Sequence, residues 1–332
     1  MGDTKTVNRA KWRVTIPAFF LLMGFGFVAG DFFFFYKEGP LPENQAVLIP
    51  KGSSLKSVTA LLAGEGVIEF PSTFYWTARI SGAAGNIRAG EFLVPARASQ
   101  ADVLKILKVG EAILHKITFP EGLSSKQVVD LLNANMILAG DVLEIPSEGS
   151  LLPETYLFPR GSTKEEILTE MEVKQNQFLA DLWGAYEGGL PFNSIEEAII
   201  LASIVEEETA LPEERPLIAA VFLNRLKKHM RLQSDPTVIY GLTEGYPLGR
   251  PLRQSELDGD TPYNTYVHYG LPPGPITNPG RAAIEAVFNP AQSNALYFVA
   301  DGSGGHVFAD TLEEHNENVK KWRKFQRDND GG

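Results

Sequence analysis

Three consecutive glutamates, Glu206 to Glu208, follow directly on a largely apolar segment, residues 195–205. We expect this segment to be a buried helix, because its side chains are apolar nearly all round. A carboxylate at the end of a buried helix loses part of its hydration, which raises its pKa. Such a group could donate a proton near neutral pH. The alternative is a solvated acidic helix terminus, in which the three charges oppose the helix dipole.

Polar and aromatic residues are concentrated in three segments after these glutamates. Residues 231–241 read RLQSDPTVIYG, residues 261–269 read TPYNTYVHY, and residues 271–280 form the proline-rich sequence LPPGPITNPG. Tyrosine and asparagine side chains that face a cleft are typical of carbohydrate-binding sites. Each residue taken singly could equally be a buried tyrosine or amide with a satisfied hydrogen bond. The density of such residues in one half of the chain favours a binding cleft.

The composition limits the possible classes of protein. The 332 residues suffice for about two domains, and hydrophobic and charged fractions of 44% and 21% are those of a folded chain. A net charge of −11 argues against nucleic acid as a partner. The absence of cysteine excludes disulfides and thiolate chemistry. We expect neither a metal nor a cofactor, because the five histidines and the carboxylates lack metal-ligand spacing, and no serine–histidine–acid arrangement suggests a protease.

The N-terminus has the pattern of a membrane anchor. Four basic residues precede the uncharged segment 14–30, and a run of aromatic residues follows to Tyr36. This pattern predicts a cytoplasmic segment 1–13, a spanning helix 14–36 and a linker 37–45, with the remainder outside the cytoplasm. The alternative is a cleaved secretory signal, but bulky phenylalanines occupy the position where small residues would mark cleavage.

The fold class predicted after the anchor is α+β. Residues 46–95 read as strand, helix, helix, strand, with strands at 47–50 and 87–94, and this order resembles a LysM-type module, a fold known for binding N-acetylated sugars. We assign residues 46–110 to this module and residues 111–160 to a connecting α+β segment, in which 148–159 reads as a loop. A catalytic domain is assigned to residues 161–328. In it, Asp235-Pro236 reads as a turn and His306 as a loop residue after the glycine-rich turn 301–305.

Several motifs together resemble one known family. IVEEET, RLQSDPTVIYG, TPYNTY, GLPPGPITNPG and LYFVADGSGGHVF are similar, in this order, to the signature segments of the endolytic murein transglycosylases, the YceG-like family, and PETYLFP resembles a further one. The resemblance implies an inner-membrane protein that faces the cell wall. It also implies internal cleavage of nascent peptidoglycan strands between N-acetylmuramic acid and N-acetylglucosamine, which leaves a 1,6-anhydro end. The implied partners are these strands, the membrane and peptidoglycan synthases.

The resemblance also implies particular site residues. Helical spacing alone favours Glu206, which lies under Ala202 and Ile199, whereas the acid of the family matches the last glutamate of the run, Glu208. Glu206 is then a supporting carboxylate. The family usually has a basic residue at the position of Glu207, and this departure is expected to raise the pKa of Glu208. The predicted glycan-binding residues are Gln233, Asp235, Thr237, Tyr240, Asn264 and Tyr266, with Glu154 and Tyr156 as further candidates and residues 270–280 as the rim.

Two other functions fit the same features. A membrane-tethered scaffold could bind glycan without cleaving it and would not depend on Glu208. A hydrolase could break the same bond with water as the nucleophile. The mass of the product separates all three, because an anhydro end is one water lighter than a hydrolysed end.

Overall fold

The computed structural model describes residue 30, residues 32–186 and residues 188–330, and this part of the chain is α+β, as predicted. It separates into two compact units. Unit 1 contains the described residues up to His115 together with Leu157–Gly161; unit 2 contains Lys116–Tyr156 and the described residues from Ser162 onward. The predicted division at 46–110, 111–160 and 161–328 stays a prediction.

The predicted membrane anchor, residues 14–36, lies almost entirely outside the described residues. Within the described part, no helix is both long enough and apolar enough to cross a membrane.

Unit 1 contains the predicted order of strand, helix, helix and strand. The elements are β1 (Gln45–Ile49), α1 (Leu55–Gly64), α2 (Pro71–Ile80), β2 (Gly90–Val94) and α3 (Gln100–Val109). β1 pairs antiparallel with β2, with Gln45 opposite Val94 and Ile49 opposite Gly90. Ser54 and Ser99 cap α1 and α3 because their hydroxyls accept backbone N–H groups of the first helical turn. Val47, Phe74 and Phe92 are among the wholly buried side chains of this core.

Unit 2 is mainly helical. The chain passes between the two units within strands β3 (Leu114–Thr118) and β4 (Thr155–Pro159). The other elements of unit 2 are α4 (Ser125–Ala134), α5 (Lys164–Ala185), α6 (Ile195–Glu208), α7 (Arg215–Lys227), α8 (Asp235–Thr243), α9 (Gln254–Leu257), α10 (Arg281–Phe288), β5 (Tyr297–Ala300), β6 (His306–Ala309) and α11 (Leu312–Asp330). β3 pairs with β4, and β5 pairs antiparallel with β6.

Helix α6 runs through the core of unit 2. All residues from Ala198 to Val205 are buried, as the apolar pattern predicts. α6 packs against α7 and α10, and their side chains form one continuous hydrophobic cluster. This packing fixes the carboxyl end of α6, which carries the three glutamates.

Three local predictions were wrong. The segment read as a loop, 148–159, ends in strand β4, where Tyr156 and Phe158 are buried and Leu157 is exposed. Asp235-Pro236 does not form a turn but begins α8, because proline is well suited to the first helical position. His306 begins strand β6 and is not a loop residue.

Candidate active site

Glu208, the last residue of α6, lines a cleft of about 600 Å³ in unit 2. Residues from five further parts of the unit complete this cleft: helix α7, the start of α8 with the segment before it, the loop after α9, strand β5 and helix α11. The lining residues besides Glu208 are Arg225, Gln233, Asp235, Tyr266, Tyr297, Phe298, Val299, Leu312, His315 and Asn316. The structure therefore brings together Glu208 and three of its predicted partners, Gln233, Asp235 and Tyr266.

The surroundings of Glu208 favour its protonated form. Burial raises the pKa of Glu208 to about 7. The Ser234 hydroxyl donates a hydrogen bond to Glu208 Oε1 at 2.5 Å and acts in the opposite direction, as do the positive charges of His306 and Arg225. The negative charge of Asp235 adds to the increase. Close to neutral pH, a large fraction of Glu208 thus carries a proton that it can donate.

Asp235 and Tyr266 form a second polar group in the cleft. The Tyr266 hydroxyl donates to Asp235 Oδ1 at 2.6 Å. Burial and this carboxylate raise the pKa of Tyr266 above its usual value, so Tyr266 remains a hydrogen-bond donor over the physiological range. The cleft therefore contains a second carboxylate besides Glu208.

Arg225 was not predicted from the sequence as a site residue. Its side chain is buried, and its Nε and Nη1 donate to the carbonyls of Leu296 and Leu232, each at 2.6 Å. Its guanidinium lies 5.4 Å from the ring centroid of Tyr297. Tyr297 in turn stacks on His315 at 5.1 Å. Tyr297 lies in one of the family motifs, but the sequence does not place these residues near Glu208, because they come from separate elements that only the tertiary fold joins.

The backbone at Gln233 is unusual. Its φ is +51°, a left-handed conformation that few residues other than glycine adopt. Its N–H donates to the carbonyl of Thr265 at 3.1 Å, which holds the segment before α8 beside the loop after α9. Strained backbone of this kind often occurs at functional sites, and here it places the exposed Gln233 side chain on the cleft wall.

Two predicted wall residues lie behind the wall instead. Thr237 and Asn264 are fully buried, so they offer no surface to a sugar. Asn264 donates to the carbonyls of Leu257 and Gly259 at 2.9 and 2.7 Å, and its Oδ1 accepts the N–H of Tyr266 at 2.9 Å. The hydroxyl of Thr237 donates to the carbonyl of Ser234 at 2.7 Å. Both residues thus support residues of the cleft.

Three other predicted residues do not line the cleft. Tyr240 packs against Tyr263, with ring centroids 4.8 Å apart. Tyr156 is wholly buried and donates its hydroxyl to the carbonyl of Leu152 at 2.7 Å. Glu154 accepts the Nε of Arg281 at 2.7 Å. These contacts lie outside the cleft, and the glycan-binding role of the three residues stays a prediction.

Glu206 and Glu207 differ from Glu208 in their surroundings. The Glu206 side chain is only 5% exposed, and it accepts Arg215 Nη2 at 2.7 Å and the backbone N–H of Gly280 at 2.8 Å. Burial outweighs these two contacts, so the pKa of Glu206 is raised. Glu207 is exposed at the surface. Desolvation and then the charges of its two neighbours raise its pKa to about 7, and its side chain lies outside the cleft.

Comparison with known proteins shows what this chain is similar to. Residues 47–321 match the YceG-like family. The endolytic murein transglycosylase of Bacillus subtilis is 31% identical over 335 residues, which cover 91% of each chain. The protein of the same name from Streptococcus pneumoniae strain D39 is 30% identical over 82% of this chain, which spans only 57% of the pneumococcal protein. A crystal structure of a yceG-like protein from Listeria monocytogenes is 31% identical, covers 83% of this chain and 98% of its own, and has a TM-score of 0.52. The chain therefore belongs to the YceG-like family.

Proposed function

We propose that this protein is a lytic transglycosylase of peptidoglycan in which Glu208 is both general acid and general base. The observation that carries the proposal is the position of Glu208, a carboxyl with a pKa of about 7 at the end of a buried helix and in the wall of a cleft. The relatives named endolytic murein transglycosylases support peptidoglycan as the substrate. The bond cleaved is that between N-acetylmuramic acid and N-acetylglucosamine.

The first step breaks the glycosidic bond. The protonated Glu208 carboxyl donates its proton to the glycosidic oxygen, and the bond from this oxygen to C1 of the muramic residue breaks. Positive charge develops on the muramic ring, while Glu208 becomes a carboxylate. The Ser234 hydroxyl, which already donates to Oε1 at 2.5 Å, stabilises this carboxylate.

The second step closes the muramic ring on itself. The C6 hydroxyl oxygen attacks C1, and its proton passes to the Glu208 carboxylate, which restores the acid. No water is consumed, so the new end is a 1,6-anhydro sugar and the atoms balance. Tyr266, Asp235 and Gln233 are positioned to hydrogen-bond the hydroxyl and N-acetyl groups of the strand.

Replacement of Glu208 by Gln tests the proposal. The amide keeps the size of the side chain but cannot donate the proton, so release of anhydro-ended fragments from purified peptidoglycan should fall by at least about 100-fold. Glu148→Gln is the matched control, because Glu148 is also a partly buried carboxyl with a pKa of about 7 but does not line the cleft. Wild-type levels of product from Glu208→Gln would refute the assignment. Glycan binding without any product from the wild-type protein would favour the scaffold.

A hydrolase is the second candidate, and Asp235 is the observation that favours it. A second carboxylate in the cleft could activate a water molecule, as in ordinary glycosidases. Mass analysis of the digestion products decides between the two, since hydrolysis adds one water. If the products are hydrolysed ends that disappear in Asp235→Asn, water is the nucleophile and the transglycosylase proposal is wrong.

We also propose that unit 1 binds glycan and that residues 14–36 anchor the protein in the membrane. The order of elements in unit 1 supports the LysM-like interpretation, and a shallow groove of about 440 Å³ between α1 and α2 contains Tyr75, Trp76 and Lys56. Exposed aromatic rings beside polar groups suit a sugar ring. For the anchor, the full chain should remain in the membrane fraction after washing at high salt, and its release by that wash would contradict the proposal.

A further inference from the structure

The glycine-rich motif before β6 has no part in the mechanism described so far. Its histidine, His306, is hydrogen-bonded through Nδ1 to Glu214 Oε2 at 2.7 Å, and the His306 backbone N–H donates to Glu214 Oε1, also at 2.7 Å. Both side chains are largely buried. A Cβ at Gly305 would lie 2.7 Å from Glu214 Oε1, so a larger residue there would displace this carboxylate. The motif thus forms a close-fitting carboxylate–imidazole pair.

This pair lies next to the end of α6. Thr209, the residue after Glu208, donates its hydroxyl to Glu214 Oε2 at 3.1 Å. On the other side, the His306 ring packs edge-on against Phe298, which lines the cleft, with centroids 5.3 Å apart. One carboxylate therefore connects the residue that follows Glu208 with the β5–β6 hairpin, which forms part of the cleft wall.

We propose that Glu214 and His306 form a positioning pair for the catalytic glutamate. Glu214 fixes the orientation of the imidazole and joins the hairpin to the end of α6, and the imidazole places positive charge close to the Glu208 carboxylate. This inference rests on the proposed function of Glu208. His306 is not a catalytic residue in this account, since it acts through its effect on Glu208.

The electrostatic surroundings give the direction of the effect. Burial opposes ionisation of Glu214, but the hydrogen bonds from His306 and Thr209 outweigh it and lower the pKa of Glu214, which is therefore a carboxylate at neutral pH. The positive charge of His306 lowers the pKa of Glu208. The other charged or titratable groups that act on Glu208 or are acted on by it are Asp235, Arg225, Tyr266 and Glu207.

The positive charge matters most in the middle of the reaction. Once Glu208 has donated its proton, its carboxylate must persist until the C6 hydroxyl returns a proton. The positive charge of His306 stabilises this charged state more than the neutral starting state, and such a difference accelerates the reaction. Loss of the charge should therefore slow turnover and also raise the pKa of Glu208.

The full-length variant His306→Gln tests this inference through its pH profile. Glutamine keeps a donor for Glu214 but has no charge. We expect kcat to fall roughly 10-fold and the alkaline limb of kcat/KM to move upward by about half a pH unit. A smaller folded fraction lowers the height of a profile but not the pH at which its alkaline limb falls. Each profile is therefore scaled to its own maximum before the limbs are compared.

Glu214→Gln and the double variant give the second measurement. Glu214→Gln should move the limb in the same direction, and the double variant should be no slower than the slower single variant, because the two residues act as one unit. The control is His268→Gln, which removes the contact of 2.9 Å between the His268 ring and Asp260 at the surface, where the His268 side chain is 48% exposed. Its profile should match that of the wild type.

Several outcomes would overturn the inference. If His306→Gln has the same limb as the wild type and loses activity only with its folded fraction, the pair is merely structural. Additive losses in the double variant would also contradict a joint role. These failures differ from failure of the proposed function, because in that case the wild-type protein itself would release no anhydro-ended product.

Discussion

The behaviour of Glu208 depends on a balance among its immediate neighbours. Burial alone disfavours the carboxylate, while Ser234, His306 and Arg225 favour it, and the net result is a pKa of about 7 in place of 4.5. An increase of this size corresponds to about 3 kcal/mol between the two protonation states. The neighbours thus hold Glu208 where it can both donate and accept a proton near neutral pH, as the proposed reaction requires.

The activity should therefore depend on pH in a defined way. The general acid must be protonated in the free enzyme, so kcat/KM should be highest below pH 7 and decrease as the pH rises through about 7. Release of anhydro-ended fragments, measured between pH 5 and pH 9 at constant ionic strength, checks this. A constant kcat/KM up to pH 9 would show that Glu208 is not the titrating acid.

The same carboxyl should destabilise the folded protein at high pH. Because the folded pKa of Glu208 is higher than the unfolded one, its contribution to stability is complete below about pH 4.5 and is lost as the pH rises through 7. Glu208→Gln should therefore be more stable than the wild type by up to about 3 kcal/mol above pH 7, and the difference should vanish near pH 4.5. Urea unfolding at pH 5 and pH 8 measures it.

Glu148 provides the comparison for that experiment. Burial also raises the pKa of Glu148 to about 7, against hydrogen bonds from the Ser125 backbone. Glu148→Gln should show a similar gain in stability above pH 7 but keep its activity. A gain in stability with both variants, and a loss of activity with only one, would separate the energetic effect of burial from the catalytic use of the proton.

At the level of elements, a network of polar contacts holds the carboxyl end of α6. Glu206 binds Arg215 at the start of α7 and the N–H of Gly280, which precedes α10. Arg215 also contacts Glu121 in the turn before α4 at 3.1 Å. These contacts connect four parts of unit 2 around the glutamates, so a change in Glu206 should act mainly on stability.

Glu206→Ala tests this structural role. The variant removes the acceptor of the buried Arg215 guanidinium and of the Gly280 N–H, and we expect it to reduce the free energy of unfolding by about 2 kcal/mol, a common cost for a buried polar group left without its partner. Its kcat, measured well below its melting temperature, should stay within a factor of about three. Urea unfolding and fragment release provide the two values. A variant of normal stability but with little activity would instead make Glu206 a participant in catalysis.

At the level of the whole molecule, the two compact units are proposed to have separate tasks. Unit 2 contains the cleft with Glu208, and unit 1 contains the groove with Trp76. Separate sites for binding and for cleaving a long glycan strand would let one enzyme stay on the strand through several cleavage events. Binding in the groove of unit 1 would raise the effective concentration of the strand at the cleft of unit 2.

Trp76→Ala tests the binding role of unit 1. Trp76 is 57% exposed and lines the groove, so its loss should weaken co-sedimentation with insoluble peptidoglycan by roughly 10-fold. Turnover of short soluble strands should stay unchanged. Ile80→Ala is the matched control, because Ile80 is on the same helix and 82% exposed but does not line the groove. If both variants sediment like the wild type, the groove is not a glycan site.

Local sequence signals predicted much of the fold. Periodicity and caps located α6 and the order of elements in unit 1, because these depend on residues close together in the sequence. Strand β4 was not predicted, because its residues Tyr156, Leu157 and Phe158 lie between prolines that indicate a loop. Their side chains are alternately buried and exposed, as in a strand. The start of α8 was missed because Asp-Pro is common in turns and also at the first turn of a helix.

The sequence by itself determined the family motifs, the apolar helix and the glutamate at its end, since these are properties of contiguous residues. Only the tertiary structure decided which polar residues face the cleft. It placed Asp235 and Tyr266 in the wall, Thr237 and Asn264 behind it, and His306 against Glu214. The physical reason is that burial and the charges of residues distant in the sequence depend on how helices and strands pack, and these two quantities set the pKa of Glu208.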